Sequence, residues 1–223
     1  MRISSVLKLC GALLAAALTT GCVTSIPFEQ QLPQPAYQND DSVLITVIDN
    51  RTRVQKGKPR EFVGVAHGSF GIPFDWSVPQ VLAVAEGDKE RDLAEFLEHR
   101  LSNGLQQKGW QAQAVKMDHL PSAAEAEAAL KQANAKTLLA LELKEWYFSI
   151  NLNWVSDFNF DTDTNIRVYQ IDSGEVLSKN ITERDVIVQK ASDSPQNNIL
   201  IAYREQLRQI IDDPQVRAVL AKQ

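Results

Sequence analysis

The strongest constraint on the fold lies between residues 158 and 188. Phe158, Phe160, Thr162, Thr164, Ile166 and Val168 alternate with polar residues. Side chains along a strand point to opposite faces in turn, so this spacing predicts a half-buried strand. Asp172-Ser173-Gly174 supplies turn residues, and the run from about Val176 to Val188 returns as a second strand. Just upstream, TLLALELKEWYFSI puts Leu139, Leu141 and Leu143 on one face, and its alternation changes phase by Trp146, the mark of a bulge. Three strands in a meander commit the chain to a sheet that must be covered.

The cover is legible in the spacing of apolar residues. Leu93, Phe96, Leu97, Leu101 and Leu105 form one stripe of a helix expected from Asp88 to Lys108. Asp88 is the expected N-cap, and Gly109 the stop. WQAQAV follows as a short strand, and Ser122 with Glu125 makes a capping box for an Ala-rich helix to about Asn134. Ser194 before Pro195 opens a last helix with its stripe at Leu200, Tyr203, Leu207, Ile210 and Ile211, ended or kinked by Pro214. VLITVID, residues 43 to 49, is continuously apolar, as a strand covered on both faces would be. The expectation is an α+β fold: a single mixed or antiparallel sheet of about five strands with helices packed on one face.

The N-terminus reads as an address. Arg2 and Lys8 precede an apolar run from Leu9 to about Leu18, too short to span a bilayer, and Thr-Thr-Gly leads into Cys22. We expect residues 1–21 to be a cleaved lipoprotein signal and Cys22 to carry the acyl chains. Cys10 leaves with the signal, so no thiol remains for a disulfide. Val23, not Asp, follows Cys22, as expected for transfer to the outer membrane. Residues 22–42, with three prolines and no periodicity, are expected to be a flexible tether, and 43–223 a single periplasmic domain.

The whole chain holds 23 basic and 28 acidic residues, and removing Arg2 and Lys8 with the signal leaves a net charge of −7. Such a surface argues against a nucleic-acid partner. His67, His99 and His119 lie far apart and no two of them share ligand spacing, so neither a metal site nor a cofactor is expected. His67 to Gly71, HGSFG, lacks the spacing of a nucleophile elbow and reads as a tight turn. Asp157, Asp161 and Asp163 read as a solvated strand face, without the loop of a calcium hand.

Two features remain as candidate partner contacts. Asp49 and Arg51 in DNRT follow a buried strand and could orient a polar group; the plainer reading is a turn with solvated charges. Phe70, Phe74 and Trp76 sit in a Gly- and Pro-rich stretch, with Trp146, Tyr147, Phe148 and Trp154 further on. Aromatics there are either tucked over the core or exposed as anchors, with the basic run from Arg51 to Arg60 as a charged rim.

TTGC, VIDNRT, DLAEFLEHRLSNGLQQKGWQA and the stretch from LLALELKEWYFSI to NITER together resemble the YajG-like outer-membrane lipoproteins. The resemblance implies an α+β fold and a lipid-anchored location, and it brings no activity. The segment from about Val54 to Asp88 is an insertion relative to that pattern. The expected role is a non-enzymatic one, binding or supporting another envelope protein from the periplasmic face, with outer-membrane lipid contacted through the acyl anchor. The alternatives are an envelope hydrolase, or a carrier of a lipid or other apolar ligand.

Overall fold

A computed structural model describes residues 24–152, 157–188 and 194–221. The strands are β1 (Ser42–Asp49), β2 (Phe62–His67), β3 (Pro73–Ser77), β4 (Gln111–Ala114), β5 (Thr137–Asn151), β6 (Asp157–Gln170) and β7 (Gly174–Val188). The α-helices longer than one turn are α1 (Leu93–Gln107), α2 (Ala123–Ala133), α3 (Pro195–Asp212) and α4 (Pro214–Leu220). Among the described residues, no helix is long and apolar enough to cross a membrane.

The meander forms as its alternation predicts. β6 pairs antiparallel with β7 from Asp157↔Val188 to Gln170↔Gly174, and with β5 along its other edge. β5 slips register between Leu143 and Glu145, where the change of phase foretold a bulge. The bulge divides β5 between two parallel partners on one side. Its first half takes β1, from Val43↔Thr137 to Asp49↔Leu143, and its second half takes β2, from Gly64↔Phe148 to His67↔Asn151. β4 lies outside β1, and β3 outside β2.

The α+β class is as expected, with fuller detail: the sheet has seven strands rather than about five. The main core packs α1, α3 and α4 on one face through Phe96, Leu97, Leu101, Leu207, Ile211 and Leu220. The opposite face is not bare. Ala126 and Leu130 of α2 cover Leu44, Ile48, Leu138, Ala140 and Tyr169 there. β1 is therefore buried on both sides, as its unbroken apolar run requires.

Two expectations are corrected. The first helix does not begin at Asp88. Asp92 caps it, accepting from the Glu95 amide while Glu95 returns the bond to the Asp92 amide. Asp88 is instead fully buried, paired with Arg100 at 2.6 Å and holding the amides of Val84 and Ala85. Burial pushes its carboxyl pKa up, but those bonds outweigh burial and leave it below the usual range.

The second correction concerns the tether. From Ile26 to Asn39 the chain is a strap laid between α1 and α3. Arg100 donates to Gln31 Oε1 at 2.9 and 3.0 Å, and Arg204 donates to the Gln30 carbonyl at 2.8 Å. The Asp212 carboxylate accepts the Ala36 amide at 2.9 Å. Tyr37 donates to the Ile211 carbonyl at 3.0 Å, and Asn39 to the Leu220 carbonyl at 2.7 Å. Leu32 and Tyr37 are buried. The strap passes so close to α1 that a Cβ on Gly104 would lie 2.1 Å from the Pro33 carbonyl oxygen. The prolines and missing periodicity hide an ordered segment, because these polar side chains are spent on distant helices rather than on water.

Candidate functional site

The segment from Val54 to Asp88 contains the β2–β3 hairpin, whose tip is Gly68 to Ile72. Gly68 donates to the Ile72 carbonyl at 2.9 Å, and Gly71 to the Gly68 carbonyl at 3.0 Å. Closing the turn needs left-handed torsions at Phe70 (φ 61°) and Gly71 (φ 73°). Gly71 adopts this conformation freely, whereas for Phe70 it costs about 1–2 kcal/mol. The glycine-dependent turn expected of HGSFG is thus present, with a strained phenylalanine in it.

That phenylalanine is also 100% exposed, and Ile72 beside it 63%. Large apolar side chains lose about 25 cal/mol per Å² by remaining wet. Phe74 is exposed as well, but Trp76 is not free. Its ring meets the Phe148 ring edge-on at 5.6 Å, and the Phe74 ring lies 6.1 Å from it. The three aromatics divide accordingly: Trp76 closes the core, and Phe70 and Phe74 stand outside it. Trp146 and Phe148 are core, Tyr147 lies under Arg53 at 3.7 Å, and Trp154 lies outside the described residues.

The tip does not stand alone. His67 of β2 is level with Asn151 of β5, which is level with the start of β6, which pairs with Val188 of β7. Leu152, Val186 and Val188 are exposed at this same end. Six of the eight large exposed apolar residues among those described therefore gather where five strands end, across roughly 20 Å at the spacing of adjacent strands.

Asp49 and Arg51 cannot contact a partner in this fold. Both side chains are fully buried, joined through Arg51 Nε and Nη2 at 2.8 Å each. Arg51 also donates to the carbonyls of Phe62 at 2.6 Å and Arg60 at 3.0 Å. Buried guanidinium needs this degree of satisfaction, and the pair fixes the loop leaving β1 against β2. Nor does the basic run form a rim: Arg53 pairs with Glu145, Lys58 with Asp75, and Arg60 with Asp92.

The histidines have separate duties. His67 Nδ1 contacts the Ile150 carbonyl at 3.3 Å. His99 Nδ1 faces Arg100 at 3.1 Å and Asp88 at 3.9 Å; burial and then the charges of Arg91 and Arg100 lower its pKa. His119 Nε2 meets Glu125 Oε1 at 3.1 Å. Ser122 Oγ donates to the same carboxylate at 2.8 Å. Glutamate stands between serine and histidine here, so the imidazole does not reach the hydroxyl as a general base must. Asp161 pairs with Arg184 at 3.0 Å and Asp163 accepts from Asn180, and no group of three metal-binding side chains occurs among the described residues.

The other surface hollows are open to solvent. One of about 430 Å³ lies between Asn39, Lys136, Gln170 and Leu220. Another of about 400 Å³ lies beside Glu98, His99 and Arg91. The Glu98 carboxyl there is pushed up to about 7, mainly by burial, against the Val47 amide that donates to it at 3.2 Å. The seam lined by Phe96, Leu97, Leu200 and Leu207 has no space for a water molecule.

No family model matches the chain. No curated protein matches it either. Solved structures give partial likenesses. Protein XCC0632 from Xanthomonas campestris, a DUF330 protein, is 12% identical over 85% of this chain and 88% of that one, with a TM-score of 0.44. The PelC dodecamer from Paraburkholderia phytofirmans is 12% identical over 86% and 95%, at 0.40. Lipoprotein GNA1162 from Neisseria meningitidis is 11% identical over 78% and 99%, at 0.29. All three scores lie below 0.5, and the fold and site described above rest on this chain alone.

Proposed function

We propose that the protein is an outer-membrane lipoprotein facing the periplasm, anchored through acyl chains on Cys22. Its role is to bind or support another envelope component without catalysing a reaction. The strap is the observation that carries this reading. Asn197 at the start of α3 accepts the Ile26 amide at 2.9 Å and donates to the Thr24 carbonyl at 3.1 Å. The clamp sits two residues after Cys22. A chain secured so close to its attachment point holds the domain at the bilayer instead of letting it drift on a tether. Each buried acyl CH₂ contributes about 0.8 kcal/mol, so two or three chains suffice for durable anchoring.

The hydrolase alternative would be favoured by His67 or His99 hydrogen-bonded to a serine or carboxylate in a pocket, and the carrier by a deep apolar chamber. Neither observation arises among the described residues. The test is Cys22→Ser followed by fatty-acid labelling and membrane fractionation. The substituted protein should lose the label and appear in the soluble fraction, while the parent sediments with outer membrane. Retention of the variant on membranes after a salt wash would contradict the anchor. For the binding role, photo-crosslinking in intact envelopes should give discrete adducts, and turnover of an envelope substrate by the purified protein would sink the non-catalytic reading.

A further inference from the structure

The exposed apolar end of the sheet and the clamp on the strap occupy the same end of the domain. Tyr203 of α3 packs its ring on Trp146 and Phe160, at 5.4 and 5.3 Å. Eight residues of helix carry α3 back about 12 Å from Tyr203 to Pro195. Three residues of strand carry β6 back about 10 Å from Phe160 to Asp157. The opposite ends agree, because α4 meets the far end of β6 through the Val219 carbonyl and Gln170 at 3.1 Å. The start of α3, where Asn197 grips Thr24 and Ile26, is therefore level with the ends of β2, β5, β6 and β7. The gripped Thr24 follows Cys22 by only two residues in the sequence.

We infer that this end of the domain rests on the bilayer surface, with Phe70 and Ile72 of the hairpin tip entering the boundary between headgroups and acyl chains. The inference rests on the anchor at Cys22 and adds the orientation of the domain. A membrane accounts for features that folding leaves unexplained: a left-handed phenylalanine, wholly exposed, at the outermost point of a hairpin, beside five further exposed apolar residues. Lipid is favoured over a protein partner because the strap delivers the acylated residue to this end. The contact is apolar, since the net charge of −7 gives no general attraction to anionic lipid. The side chains involved suit the interface, where aromatic and aliphatic groups insert to shallow depth.

The experiment uses the full-length, acylated protein reconstituted into phosphatidylcholine vesicles. Ser69→Cys places a thiol at the exposed tip without removing Phe70 or Ile72, and Ser173→Cys places one in the exposed β6–β7 turn at the far end. Each is labelled with an environment-sensitive dye. On reconstitution the dye at position 69 should shift to the blue and be quenched by spin-labelled lipid, while that at position 173 does neither. Adding Phe70→Ser and Ile72→Ser should remove the quenching and leave the melting temperature unchanged. If the protein floats with the vesicles yet the two dyes behave alike, the orientation is wrong and the anchor stands. If it does not float, or Cys22 carries no acyl chain, both readings fall. A tip that is wet on vesicles but shielded in native envelope fragments would mean a protein partner, and would overturn the inference.

Discussion

Gly104→Ala is a substitution whose sign separates local from tertiary effects. Gly104 lies inside α1, where alanine is the better helix former by about 1 kcal/mol. Helix propensity alone thus predicts a stabilised protein. The strap predicts the reverse, because the new Cβ would meet the Pro33 carbonyl oxygen at 2.1 Å and the carbonyl carbon at 3.0 Å. Ordinary contact begins near 3.4 Å, so the backbone of the strap must withdraw by more than an ångström. Overpacking of this kind costs about 1–3 kcal/mol, and a rigid backbone obstacle belongs at the upper end. The net effect is a loss of about 2 kcal/mol, or a fall of about 4–8 °C in Tm for a domain of this size. Thermal unfolding followed by circular dichroism measures it. Limited proteolysis should show new cleavage between Ile26 and Asn39, where the buried Leu32 and Tyr37 are loosened first. A higher Tm with an unchanged digestion pattern would refute the packing of the strap.

Three more outcomes follow from buried groups. Leu101 is 1% exposed in the main core, so Leu101→Ala should cost about 2–5 kcal/mol in denaturant unfolding. Arg51→Ala strands the Asp49 carboxylate in the interior and should cost about 3–5 kcal/mol, whereas a surface role would leave unfolding nearly unchanged. Glu98 has a folded-state pKa of about 7, above its ordinary 4.5, so the folded protein binds the extra proton and stability falls as pH rises between these values. Its partial hydration limits the loss to about 1–2 kcal/mol. Glu98→Gln should flatten that slope and exceed the parent in stability above pH 7; parallel pH profiles for the two proteins would dismiss the assignment.

Period explains what the sequence disclosed. The alternation of β6, the leucine stripe of α1 and the shift of phase in β5 are local patterns, and each appears in place. The cap of α1 is local too, since Asp92-Leu-Ala-Glu95 carries the capping-box spacing that an N-cap at Asp88 overlooks. The strap was not legible, because Gln31, Tyr37 and Asn39 find partners 69 to 181 residues away and no local spacing encodes that. The same holds for DNRT. Whether Arg51 faces water or five interior acceptors depends on β2 and β5 closing over it, and those strands belong to other parts of the chain. Among the aromatics, the glycines announced a tight turn, while only the pairing of Trp76 beside Phe148 could divide core rings from exposed ones.

The strap also sets a sequence of events. Tyr37 and Asn39 close on carbonyls at Ile211 and Leu220, 174 and 181 residues further along the chain. Contacts this distant in sequence form late, after the loop between them has been closed. The strap consequently locks only after α3 and α4 have docked on the sheet. Docking of these two helices is thereby reported at the strap, close to the residue where the protein would be fastened.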